Sequence, residues 1–222
     1  MKVIGLTGGI GMGKSTAAAA FRRAGLPVFD ADAAVHKLQG RGGRAVPAIA
    51  AAFPGTVRGG AVDRALLRRA AIGDPAAMST LERILHPLVR QEERAFLHRA
   101  RRAGRRAAVL DVPLLLETME GRRRGGSKLD LVVVVSAPPA VQAARVQARR
   151  RMTPAQARAI IARQMPDREK RRRADVVVPT GLSRHHAQRL LRRLVLKLFA
   201  GVPSTAGMQA AHCTKVVQLS SL

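Results

Sequence analysis

The chain has 222 residues, enough for one domain with a lid or insertion, and is 47% hydrophobic; with aromatics at 2% and no Trp or Tyr, its core must be aliphatic. A single cysteine, Cys213, excludes an internal disulfide; the N-terminus turns glycine-rich too early for a signal peptide, and no apolar run reaches membrane-spanning length, so a cytoplasmic location away from membranes is expected. The formal charge of +26 comes from 33 Arg and 7 Lys against 14 acidic residues, which fits solvated helix faces and polyphosphate ligands better than specific nucleic-acid binding, because stacking aromatics are missing.

Residues 2–6 form a short apolar run ending in glycines, which predicts a buried parallel strand. An Ala-rich helix from Ser15 to Ala24 follows, closed by Gly25, then a second strand over Leu26 to Phe29 that ends at Asp30. Helical patterns occupy the 30s, 44–52 and Asp63 to Ala71. A longer helix starts at Asp74 as N-cap with Pro75 at the first position and runs to Arg102, with a kink or break expected at His86-Pro87. Strands are predicted at Ala107 to Asp111, Leu131 to Val135 and Val176 to Val178, and helices at 139–149, 154–164 (opened by Thr153-Pro154) and Ser183 to Phe199. Alternating strands and helices predict an open parallel sheet covered on both sides. From Gly201 the periodicity stops, and a frayed tail is expected.

The sharpest motif is Gly8-Gly9-Ile10-Gly11-Met12-Gly13-Lys14-Ser15, which fits G-x-x-x-x-G-K-[ST] between a predicted strand and a predicted helix. Glycines let the backbone curl with its N–H groups inward, and the helix N-terminus behind them favours phosphate. The ATP phosphates are therefore expected on Gly9, Ile10, Gly11, Met12, Gly13, Lys14, Ser15 and Thr16, with Lys14 supplying positive charge and Ser15 a hydroxyl for Mg²⁺. Asp111 ends an apolar strand as a second Mg²⁺ ligand would, although a cap or loop carboxylate is its plainer reading. No N-K-x-D motif appears, which counts against a GTPase.

Transfer of a phosphoryl group to an alcohol calls for a carboxylate near the attacking oxygen. Asp30 and Asp32 follow the second strand, where strand ends of an open α/β sheet line the ligand crevice. Asp32 is thus a candidate base; a helix N-cap is the alternative.

Taken together, these residues resemble the dephospho-CoA kinase family over about residues 1–199. The blocks are V-I-G-L-T-G-G-I-G-M-G-K-S-T, the D-A-D of Asp30 to Asp32, G-A-V-D-R-A-L-L from Gly60, L-E-R-I-L-H-P-L-V-R from Leu81, D-V-P-L-L-L-E from Asp111, a stretch with Gln142, Arg145, Arg149 and Gln164, and K-R-R-R-A-D from Lys170. The resemblance implies a P-loop kinase fold, three-layer α/β/α with a five-stranded parallel sheet, in a single domain over 1–200: core 1–32, 104–140 and 174–200, a helical acceptor-binding insertion at 33–103 and a helical lid at 141–173. It implies ATP and Mg²⁺ as cofactors, dephospho-CoA as small-molecule acceptor, and a monomer or weak homo-oligomer. By the same resemblance Asp32 is the catalytic base, His86 and Arg90 hold the acceptor, and Arg145 and Arg149 close over the phosphates. The Pro179-Thr180-Gly181 turn departs from the Asn- or Asp-containing turn usual there, and the stretch from Arg122 to Ser127 looks inserted. Another P-loop metabolite kinase would share the loop and the aspartate without explaining the L-E-R-I-L-H-P-L-V-R block, and a nucleic-acid-binding NTPase is favoured by charge alone.

Overall fold

The structure is a computed structural model and describes residues 1–113, 115–116, 127–150 and 152–200. The expected tail from Gly201, and all of the Arg122–Ser127 stretch except Ser127, lie outside the described residues. Two compact units emerge, one of residues 1–29 with those from 100 onward, the other of residues 30–99.

The first unit is built on β1 (Lys2–Thr7), β2 (Val28–Asp30), β5 (Ala107–Asp111), β6 (Leu131–Ser136) and β7 (Val176–Pro179), in the order β2-β5-β1-β6-β7. The pairs β1/β5, β1/β6 and β6/β7 are parallel, with Leu6 opposite Asp111 and Thr7 opposite Val134. The five strands, the parallel sheet and the flanking helices all agree with the sequence reading. Alternation within β6 explains its unbroken valines: Val133 and Val135 join the cluster of Ile4, Leu6, Phe21, Leu191 and Leu194 on one face. Val132 and Val134 join Leu115 and Leu116 on the other. Full burial of a side chain such as Phe21 contributes about 1.5–3 kcal/mol.

Helices α1 (Lys14–Arg23) and α9 (Arg184–Ala200) supply the first of those faces, while α6 (Pro139–Arg150), α7 (Pro154–Ala162) and α8 (Asp167–Arg172) lie between β6 and β7 in the chain. Thr153 and Gln156 close a reciprocal capping box on α7, and the Ser183 hydroxyl accepts from the His186 N–H. The sequence reading has no counterpart to α8: D-R-E-K-R-R carries no apolar period, so its one turn and a half is invisible to pattern. Scarce carboxylates fasten the strand starts. Asp130 accepts the Val3 N–H and Asp175 the Val132 N–H, each at 2.7 Å.

The second unit holds α2 (Ala31–Gln39), α3 (Val46–Ala52), α4 (Arg64–Ala71) and most of α5 (Pro75–Arg102) around Leu38, Ile49, Phe53, Val62 and Leu67. Asp30, Asp63 and Asp74 cap α2, α4 and α5 through their Oδ1 atoms. Two differences from expectation stand out. A hairpin of β3 (Val57–Arg58) and β4 (Ala61–Val62) turns on Gly59 and Gly60, both at positive φ, where the strands are too short for a period to register. And α5 is one helix of 28 residues through Pro87, so the possible break is absent. Pro87 removes one N–H, and both it and Arg83, whose carbonyl loses that donor, are exposed to water. Among the described residues no helix is long and apolar enough to cross a membrane.

Candidate active site

Strand β1 delivers the chain into the glycine loop and α1 takes it away. Gly8 has no room for a side chain, since a Cβ there would collide with Val135. Gly13 precedes α1 at φ 87°, a left-handed position that a side chain would strain. In contrast to α2, α4 and α5, whose first turns are capped by aspartates, α1 has no side-chain cap. The Thr16 N–H donates to the Gly13 carbonyl at 3.1 Å, and with no side-chain cap the start of the helix is open to an anion, the helix dipole adding favourable potential.

Lys14 rises from that first turn, and its Nζ lies 2.5 Å from Oδ1 of Asp111. Asp111 is buried at the C-terminal end of β5, its side chain 6% exposed, while the lysine side chain remains 20% exposed. The ion pair holds the ammonium at the loop, and a triphosphate arriving there competes with Asp111 for it. Ser15 is exposed and Thr16 half-buried on the same turn. Among the described residues no group of three or more His, Cys, Asp or Glu side chains is placed to hold a metal ion. The nearby oxygen donors are the Asp111 carboxylate and the Ser15 hydroxyl, a hard-ligand set that suits Mg²⁺ once phosphate oxygens join it.

The rest of the loop is gripped from behind. The Ile10 N–H donates to Gln164 Oε1 at 2.8 Å, and Gln142 Nε2 donates to the Ile10 carbonyl at 2.9 Å. The Met12 sulfur accepts the Ala137 N–H, and the Thr180 hydroxyl lies 2.7 Å from the Met12 carbonyl and 3.1 Å from that of Ser136. Arg145 donates to the Thr180 carbonyl at 2.7 Å and reaches the Gly11 carbonyl at 3.4 Å. The Pro179-Thr180-Gly181 turn is thus a buttress of the loop, with Thr180 buried. Gln142, Gln164 and Thr180 had no site role in the sequence reading. Gln142 and Gln164 stood out within the family-like blocks, but nothing in their spacing says that they address the backbone of residue 10.

Of the predicted site residues, the structure brings together Gly9 to Thr16, Asp111 and Arg145 in the first unit. Arg149 lies one turn beyond Arg145 on α6 and is exposed. Asp32, His86 and Arg90 belong to the second unit. Asp32 sits exposed in the first turn of α2, where Asp30 does the capping; it has no hydrogen bond or ion pair among the described residues. His86 is exposed and Arg90 half-buried, one turn apart on α5, and so share a face.

Comparison with known proteins bears on the family and the fold. The family model described as dephospho-CoA kinase matches residues 2–183. A dephospho-CoA kinase of Paramagnetospirillum magneticum is 60% identical over 171 residues, covering 77% of this chain and 78% of its own length. One from Gluconobacter oxydans is 51% identical over 202 residues, covering 89% and 98%. A crystal structure from Thermus thermophilus superposes with a TM-score of 0.68 at 33% identity, covering 89% of this chain and 97% of that one. The chain belongs to the dephospho-CoA kinase family.

Proposed function

We infer that the chain uses ATP to phosphorylate the 3′-hydroxyl of dephospho-CoA in the cytoplasm, giving coenzyme A and ADP, the last step of coenzyme A synthesis. The observation that carries this reading is the uncapped α1 N-terminus behind a glycine loop with Lys14 at its mouth, in a chain of this family. Lys14 and the loop amides other than those of Ile10 and Met12, which are already bonded to Gln164 and the Gly9 carbonyl, hold the β- and γ-phosphates and neutralise the charge that spreads over the moving phosphoryl group. Asp32 accepts the proton as the 3′-oxygen bonds to the γ-phosphorus, and ADP leaves with the electron pair of the broken bond. Exposure of Asp32, together with its freedom from capping and pairing, supports that role.

His86 and Arg90, one turn apart on α5, bind the acceptor within the helical segment 33–103. Arg149 closes over the phosphates from the lid segment 141–173, while Arg145, tied to Thr180 and Gly11, keeps the loop in shape. Ser15 and Asp111 would hold Mg²⁺, which would supply neutralisation of phosphate charge. The test is to incubate the protein with Mg-ATP and a panel of alcohols comprising dephospho-CoA, nucleosides and shikimate, then identify products by mass. Phosphorylation of dephospho-CoA at the 3′-oxygen is expected, and preference for another acceptor overturns the reading.

A further inference from the structure

Residue 10 stands out in the phosphate loop because both of its backbone groups are taken by side chains distant in sequence. Its N–H goes to Gln164, just beyond α7, and its carbonyl receives the amide of Gln142 on α6. Backbone chemistry fixes the polarity of each contact: an N–H requires an acceptor, so Gln164 presents oxygen, and a carbonyl requires a donor, so Gln142 presents nitrogen. Room for the two glutamines comes from Gly9, where a Cβ would stand 3.2 Å from Gln142 Nε2 and 3.3 Å from Gln164 Oε1. Next to them, a Cβ on Gly11 would come within 2.9 Å of the Val146 side chain and 3.0 Å of the Gln142 carbonyl. Gln142 is buried and Gln164 half-buried, so neither bond is readily replaced by water.

We propose that Gln142 and Gln164 are positioning residues that clamp Ile10, hold the loop in its phosphate-binding shape, and tie that shape to the placement of α6 and α7. The clamp does not touch the reacting atoms. It fixes the peptide through which the loop bends, so a shift of either helix pulls on the cradle, and a bound phosphate in turn steadies both helices. The nucleotide part of this proposal rests on the reading that the loop holds the phosphates of ATP.

The test has two readouts. In nucleotide-free protein, amide hydrogen exchange at Ile10 is slow in the wild type and speeds up in Gln164→Met, a neutral variant of similar length whose thioether is a far weaker acceptor than the amide oxygen. Unchanged exchange overturns the clamp whether or not ATP binds. In calorimetric titration with ATP, Gln142→Met and Gln164→Met each weaken binding about tenfold, and KM for ATP rises more than kcat falls. Binding within twofold of wild type in both overturns the positioning role. Gln164→Glu and Gln142→Glu add the same charge, but only the first keeps the required polarity, so Gln164→Glu binds ATP more tightly than Gln142→Glu. Equal losses overturn the assignment, and this pair also serves if the methionine variants fail to fold. Lys14→Ala is the control on the nucleotide reading: ATP binding that survives it intact sinks that reading and leaves the exchange result standing.

Discussion

Around the glycine loop, residues 9–12 are held chiefly through their backbone: the carbonyls of Ile10, Gly11 and Met12 and the N–H of Ile10 accept or donate to Gln142, Arg145, Thr180 and Gln164. In residues 30–99 the arrangement is reversed. Helices capped by Asp30, Asp63 and Asp74 form a scaffold, from which Asp32 and His86 project into solvent. On the function proposed above, the first region works through the shape of a main chain, and the second through individual side chains carried on a scaffold.

The largest effect that sharpens this contrast is expected at Asp32. Replacement by Asn should lower kcat by about 10²–10⁴-fold, with ATP affinity and melting temperature close to wild type; steady-state kinetics beside calorimetry will read it. Near-normal turnover would remove Asp32 from the base role and blur the distinction. Next comes Thr180→Val, which keeps shape but deletes the hydroxyl that lies against the Met12 and Ser136 carbonyls. Leaving those carbonyls without it should cost about 1–3 kcal/mol of stability by denaturant unfolding and weaken ATP binding as well. A loss of stability with unchanged ATP binding would mean that the loop is less dependent on its backing than the bonding pattern implies. The smallest effect is expected at Asp63→Ala, which uncaps α4 and should cost about 1 kcal/mol without altering the affinity for either substrate.

Features that depend on local chemistry were legible in the chain. The glycine motif, the five apolar runs, and the caps Asp74, Thr153 and Ser183 need only neighbours close in sequence, and the fold places them as expected. The sequence allows Asp32 as the cap of α2, and only the geometry gives that duty to Asp30, two residues earlier. Long-range backbone recognition was not legible: Gln142 and Gln164 lie 132 and 154 residues from Ile10, and a glutamine that serves a carbonyl reads like any polar helix residue. The same holds for Thr180, which the sequence marks only as part of a turn that departs from the family's usual one. In the structure it is a buried hydroxyl set against the loop.

How the carboxylates are spent bears on how substrates reach this protein. Asp30, Asp63 and Asp74 are occupied at helix ends, Asp130 and Asp175 at strand starts, and Asp111 beneath a lysine. Six of the 14 acidic residues are placed in this way, and against so few negative groups the 40 cationic side chains leave a formal charge of +26 that dominates the far field. Nucleotides bearing several negative charges are drawn toward such a body from a distance, an advantage in encounter rate that fades as ionic strength rises.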